Sequence, residues 1–429
     1  MKRARFQRGL LLICFAGIVS SKSVAQNPAI DWNAIASTTI ITNGATAANV
    51  THTAAGAVTP GGSTLYFAIV HLAVYNAVNA VNPRYQPYLY TLKAPRGASE
   101  DAAAIAAAHR ILINYFPDQQ AALDVQYDQS LSAIPGGKSK DDGIKVGEAS
   151  ALTLIALRAN DGRGANVTYT YPSSPTPGRW MPTPPAFLAP QTPWIGQVTP
   201  FTMTSPSQFL PTNGPPDLGS RTWVQDFAET KSLGAANSTI RTAHQTEIGL
   251  FWTDHGGRQY AAALRDLATR RNLGTLASAR LFAMTFTAAA DSFIGCMNAK
   301  YTFGFWRPVT AVQNADLDGN PETVQDPAWL PLGTTPNHPE FPAAHGCVTG
   351  AVAKILGRFE DDGPLKLTVS SAVTNTSHQF RTARDLEAEV FVARIYAGFH
   401  YRHSLEQGFL LGHRVARQLI NTQFRPLEE

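Results

Sequence analysis

The stretch STLYFAIVHLAVYNAVNAV, residues 63–81, carries apolar side chains on most helical faces and contains neither proline nor glycine. A run of this length and composition reads as a helix buried within a protein core rather than as one amphipathic face. Outward from it the period stays helical: residues 102–116, 119–134 and 144–159 read as amphipathic helices, punctuated by Pro117, by Gly136 with Gly137, and by Gly162. Helical periodicity returns over 222–233, 238–252, 260–271, 276–300, 348–359, 385–399 and 405–424, whereas 365–373 is the single strand-like fragment. The fold class expected is all-α, with helices packed in bundles.

One segment breaks the pattern. Residues 171–216 hold 13 of the 29 prolines together with Trp180 and Trp194, which forbids helix but supplies anchors for packing. It reads as a long ordered excursion laid over the surface. The organisation expected is a signal segment at 1–25, an N-terminal helical region at 26–170, the proline-rich excursion at 171–221 and a C-terminal helical region at 222–429.

The chain has 429 residues, 44% hydrophobic and 15% charged, with a formal net charge of +4. That composition is globular and excludes disorder, collagen and coiled coil. Five of the 35 basic residues (Lys2, Arg3, Arg5, Arg8 and Lys22) lie in the first 25 positions, so the remainder is near neutral and offers no stripe for nucleic acid. A basic start, an apolar run over 9–19 and small residues at Val24 and Ala25 read as a secretory signal, implying a secreted or periplasmic protein. No further stretch was expected to span a membrane, so none is expected as a partner after signal cleavage. Cys296 and Cys347 then remain, either bridged or as two buried free thiols, without zinc-ligand spacing.

Three C-terminal segments concentrate cations and imidazoles among apolar residues. In KYTFGFWRP (300–308), Lys300 and Arg307 stand seven apart, a spacing that lets them share one helical face. In PNHPEFPAAHG (336–346), His345 falls in the first turn of a helix, where unpaired backbone N–H groups favour anions. In VARIYAGFHYRHS (392–404), Arg394 and His400 stand six apart near a helix end. Each segment alone is a weak signal, since such residues more often serve a structural role. Together they supply the donors that surround a phosphate-like ion while one imidazole bonds its central atom.

The order Lys-x6-Arg-Pro, Pro-x-x-His, Arg-x5-His resembles that of the superfamily of vanadium-dependent haloperoxidases and type 2 phosphatidic acid phosphatases, over residues 254–412. The excursion and N-terminal helices look like those of secreted bacterial haloperoxidase relatives. The resemblance implies that His400 bonds vanadate or becomes phosphohistidine, that Lys300, Arg307 and Arg394 hold the equatorial oxygens, and that His345 is the distal acid/base. It further implies an oxyanion donor in the Ala344 N–H and an ion pair between Arg394 and Asp254 of FWTDHG. Phosphate fits the same cradle as vanadate. Two departures stand out: Ala343 replaces a serine that donates to the oxyanion, and Ser404 replaces an aspartate that orients the histidine. With Ser404 there, the orienting acceptor must be a backbone carbonyl or another residue.

In the haloperoxidase reading, hydrogen peroxide and a halide are substrates and an organic acceptor is halogenated. His338, seven residues before His345, matches the histidine of bromide-oxidising algal relatives, and Met297 stands where other groups have Trp or Arg, which leans toward bromide or iodide. The alternative is a secreted phosphatase acting through phosphohistidine, with His345 protonating the leaving oxygen.

Overall fold

The computed structural model describes residues 27–41, 58–361 and 363–427; the signal segment read at 1–25 lies outside them. The N-terminal half contains α1 (Pro28–Ile41), α2 (Ser63–Val81), α3 (Glu100–Tyr115), α4 (Gln120–Ser132) and α5 (Lys138–Leu157). The C-terminal half contains α6 (Arg221–Gly234), α7 (Ala243–Phe251), α8 (Gly256–Arg270), α9 (Thr275–Phe303), α10 (Pro308–Gln313) and α11 (Ala344–Phe359). A hairpin of β1 (Leu367–Ser371) and β2 (Thr376–Phe380) leads to α12 (Ala383–Tyr396) and α13 (Arg402–Thr422). The protein is all-α apart from this antiparallel pair among the described residues.

Local chemistry explains the boundaries. Ser99 and Ser220 cap α3 and α6 through their hydroxyls, and capping boxes open α7 (Thr242 with Gln245) and α12 (Thr382 with Asp385). Helix α5 begins six residues before the apolar period does, because its Lys138–Asp141 turn faces solvent and shows no pattern. Helix α1 escaped the sequence reading, although Trp32, Ala36 and Ile40 bury one face of it at a four-residue spacing.

Helix α2 packs against α3, α5 and α9, while α9 continues to α11 and α13, so one hydrophobic core joins the two halves. By length and hydropathy α2 is apolar enough to cross a membrane, contrary to the expectation that no such stretch follows the signal; 89% of its apolar window is buried against its neighbours.

The excursion is tied along α9. Asp291, fully buried in α9, accepts the Phe201 N–H at 2.6 Å, the Thr202 N–H at 2.7 Å and the Thr202 hydroxyl at 2.6 Å. Asn298 donates to the Gly196 carbonyl and Tyr301 to that of Gln191. The Gln191 N–H in turn donates to Asn337, so the excursion braces the loop that precedes α11.

Candidate active site

Lys300 lies in the last turn of α9, which Gly304 ends in the left-handed conformation (φ +61°), its N–H returning to the Lys300 carbonyl at 2.8 Å. Arg307 is therefore not on the same helix face as Lys300: it is the N-cap of α10, with Pro308 at the first helical position. The two cations meet by another route. The segment 338–342 presents its carbonyls to both, Pro339 and Glu340 accepting from Lys300 Nζ (2.9 and 2.8 Å) and His338 accepting from Arg307 Nε (2.8 Å).

Arg307 also donates through Nη1 to the Phe399 carbonyl at 3.0 Å and toward His400 Nε2 at 3.4 Å, and through Nη2 to His338 Nδ1 at 3.0 Å. His400 follows Gly398 between α12 and α13, and the α6 residue Thr230 donates its hydroxyl to the His400 carbonyl. On the other side of the ring, His400 Nδ1 lies 2.8 Å from Glu340 Oε1.

Arg394, in the last turn of α12, donates from Nη1 to the Trp252 carbonyl at 2.6 Å, and its guanidinium lies over the Phe399 ring. The expected ion pair with Asp254 does not form. Asp254 is taken by Arg258 one helical turn further on and by the N–H groups of His255 and Ala372, leaving the neighbouring Trp252 carbonyl to receive Arg394. The Arg394 Nε is buried without a partner, and no carboxylate pairs with Arg394 among the described residues.

The third wall is α11. Its N-cap Ala343 is extended (φ −71°, ψ 119°) and offers no capping side chain, so the N–H groups of Ala344, His345 and Gly346 have no acceptor in their own helix. Ala343 is held to α13 by its N–H, which donates to the Ser404 carbonyl at 3.0 Å. Beneath this wall Cys296 of α9 and Cys347 of α11 bring their thiols together as two free, buried cysteines, and Cys296 reaches the Pro342 carbonyl. The lysine and distal-histidine segments thus converge.

Lys300 and Arg307 are wholly buried and Arg394 is 2% exposed, while Glu340 is the buried carboxylate among them. Burial lowers Lys300 to about 8, Arg307 to about 10 and Arg394 to about 9. The same desolvation, reinforced by these cations, holds His338, His345 and His400 well below the usual imidazole range, so each is neutral at pH 7. Burial pushes Glu340 up to about 7 against the pull of Lys300, Ser404 and Arg307. Three buried cations against one carboxylate, an unpaired guanidinium nitrogen and a helix N-terminus constitute a cradle for a multiply charged oxoanion.

The structure thus brings together Lys300, Arg307, His338, Arg394 and His400, and sets His345 and Ala344 at the start of α11; Asp254 is engaged elsewhere, by Arg258 and the N–H groups of His255 and Ala372. Glu340 escaped the sequence reading. Its signal was a lone acid between Pro339 and Phe341-Pro342 in an otherwise apolar motif, a setting that favours burial of the carboxylate.

A second buried acid shapes the same corner. Asp226 of α6 accepts the His403 N–H in the first turn of α13 at 3.1 Å, and burial, with Glu229 and Glu406 nearby, raises it to about 7 from 3.8. Because the folded pKa is the higher one, the stability it contributes is complete below pH ~4 and is lost as pH rises through 7. Asp226→Asn keeps the acceptor but cannot ionise. Urea unfolding should show the variant near wild type at pH 4 and more stable at pH 8, with roughly 4 kcal/mol as the ceiling for a three-unit shift. An equal difference at both pH values would refute this.

Comparison with known proteins bears on the fold and on the C-terminal half. Residues 280–429 match the family model described as the VCPO second helical-bundle domain. The vanadium chloroperoxidase of Curvularia inaequalis is 27% identical over 473 aligned positions, covering 82% of this chain and 76% of the relative. A bacterial vanadium-dependent iodoperoxidase superposes with a TM-score of 0.75 at 20% identity, covering 94% of this chain and 98% of the other. A bacterial vanadium-dependent chloroperoxidase in its holo form gives a TM-score of 0.67 at 16% identity over 84% and 91%. Domain match, curated relative and fold thus all point to similarity with the vanadium-dependent haloperoxidases, the group whose motif order the chain resembles.

Proposed function

We propose that the protein is an exported, vanadate-dependent haloperoxidase that oxidises halide, bromide or iodide in preference to chloride, with hydrogen peroxide to hypohalous acid, which then halogenates an organic acceptor. The observation that carries this reading is the excess of buried positive charge around His400 Nε2, with Arg394 Nε unpaired. These residues fit a multiply charged oxoanion: His400 Nε2 would bond the metal, and Lys300, Arg307, Arg394 and the Ala344 N–H would hold its oxygens. Bound vanadate supplies the Lewis-acid centre at which peroxide is activated toward halide, without a change in oxidation state.

The chain's own contribution is charge and proton handling. Lys300 has spent two of its ammonium hydrogens on carbonyls and keeps one for the oxoanion side. His345 is neutral at rest, so its imidazole is competent to accept a proton from incoming peroxide and to return it to a departing oxygen. His338, whose Nδ1 lies between Arg307 Nη2 at 3.0 Å and the Pro339 carbonyl at 3.1 Å, is the ring that would meet a halide beside the oxoanion.

A bromination assay with peroxide, bromide and vanadate, run beside p-nitrophenyl phosphate hydrolysis, tests the proposal. Activity confined to phosphate hydrolysis would replace it with the phosphohistidine reading, in which His400 attacks and His345 protonates the leaving group.

The alanine at the α11 N-cap gives a second expected result. Its extended geometry suits serine, whose hydroxyl caps the helix in the free protein and donates to a bound oxoanion. Ala343→Ser should therefore tighten orthovanadate binding by ~1 kcal/mol, about fivefold, in a calorimetric titration. Unchanged or weaker binding would show that position 343 does not face the anion.

A further inference from the structure

We propose that Glu340 is the positioning residue of the His400 imidazole, fixing its proton on Nδ1 and so leaving the Nε2 lone pair free for the oxoanion. The inference rests on the reading of His400 as the oxoanion-bonding residue and adds the group that makes it competent. Glu340 is wholly buried, and its carboxylate accepts from three donors on one short stretch of chain. These are His400 Nδ1 at 2.8 Å, the Tyr401 N–H at 3.2 Å and the Ser404 hydroxyl at 2.6 Å. The carbonyl of the same residue accepts Lys300 Nζ at 2.8 Å, so one residue links the ammonium to the imidazole.

A carboxylate accepting at Nδ1 selects the Nδ1–H tautomer and raises the basicity of Nε2. Arg307 Nη1, a group that only donates, stands 3.4 Å from that second nitrogen and selects the same tautomer. Ser404 does not touch the ring by any hydrogen bond in the structure; its hydroxyl holds the far carboxylate oxygen and so fixes the plane of the acceptor. Position 404 is therefore within reach of the space that the Glu340 carboxylate fills. An acid placed at 404 would crowd Glu340 if Glu340 is present and would replace it if it is absent.

That reversal is the test. The mature protein and its Glu340→Ala, Ser404→Asp and doubly substituted forms would be compared by the ring 15N shifts of His400 without added oxoanion. Orthovanadate and inorganic phosphate affinities would be measured by calorimetry, and folding by circular dichroism. The wild type should carry its proton on Nδ1. Glu340→Ala should mix the tautomers and weaken orthovanadate binding by ~10-fold to 100-fold, the range for outer-shell partners of metal-bonding histidines. Ser404→Asp should weaken binding in the wild-type background and strengthen it in the Glu340→Ala background. A wild-type His400 protonated on Nε2 overturns the proposal without any variant, so it stays testable if Glu340→Ala fails to fold. Equal losses from Ser404→Asp in both backgrounds, or an unaltered tautomer in Glu340→Ala, overturn it as well. The tautomer and phosphate binding are read without turnover, so an inactive enzyme with the expected pattern sinks the haloperoxidase reading alone.

Discussion

Incubated with orthovanadate and desalted, the protein should retain about one vanadium per chain by elemental analysis, and His400→Ala should retain almost none. Nε2 of His400 faces Arg307 from within the cradle at 3.4 Å, while the opposite ring nitrogen, Nδ1, lies 2.8 Å from Glu340 Oε1. Removing the ring would delete the proposed bond to the oxoanion, and also leaves the Glu340 carboxylate among Lys300 and Arg307 without its imidazole partner. Loss of an outer-shell partner costs ~10-fold to 100-fold in metal affinity, so loss of the bonding residue should exceed that range. Lys300, Arg307 and Arg394 remain in the variant and would still attract phosphate weakly. Vanadium retained at the wild-type ratio would remove His400 from the site.

Gly412→Ala should be the most destabilising of the small substitutions. A Cβ at Gly412 would stand 2.1 Å from the Cys347 carbonyl oxygen and 2.8 Å from the Ala351 nitrogen, both backbone atoms that cannot swing aside. Gly408, one turn earlier, meets the Ala343 carbonyl at 2.6 Å, and Gly346 and Gly350 repeat the four-residue spacing on α11. Each glycine in a helix interior costs ~1 kcal/mol relative to alanine, so helix propensity favours the substitution while packing opposes it. The overlap should prevail, with a net loss of ~2 kcal/mol or more in urea unfolding. Because this seam seats the α11 N-terminus on α13, orthovanadate affinity should fall with stability. A variant as stable as the wild type would show that the helices separate freely.

Much of the architecture is legible in the chain. Ser63–Val81 is apolar on nearly every face and has no alternative to a core position, and the expected helix coincides with α2. Short-range signals failed where burial did not mark the pattern, as at the exposed start of α5. The β2 strand escaped as well, since only Phe380 of its five residues is buried. The glycine spacing of α11 and α13 is visible in the sequence, but nothing local says that it faces another helix.

Residue order, through its resemblance to a known motif, grouped Lys300, Arg307, Arg394, His345 and His400 as candidates for one anion site. It could not determine how they meet. Lys300 and Arg307 converge through carbonyls of residues 338–340 and not along a helix face, since Gly304 breaks α9 between them. Only the tertiary structure decided the acceptor of His400 and the partner of Arg394. Glu340 lies 60 residues from His400 and Trp252 lies 142 from Arg394. Such hydrogen bonds depend on where a packed core brings the backbone, and a core is selected by volume and burial summed over distant segments, which no local spacing encodes.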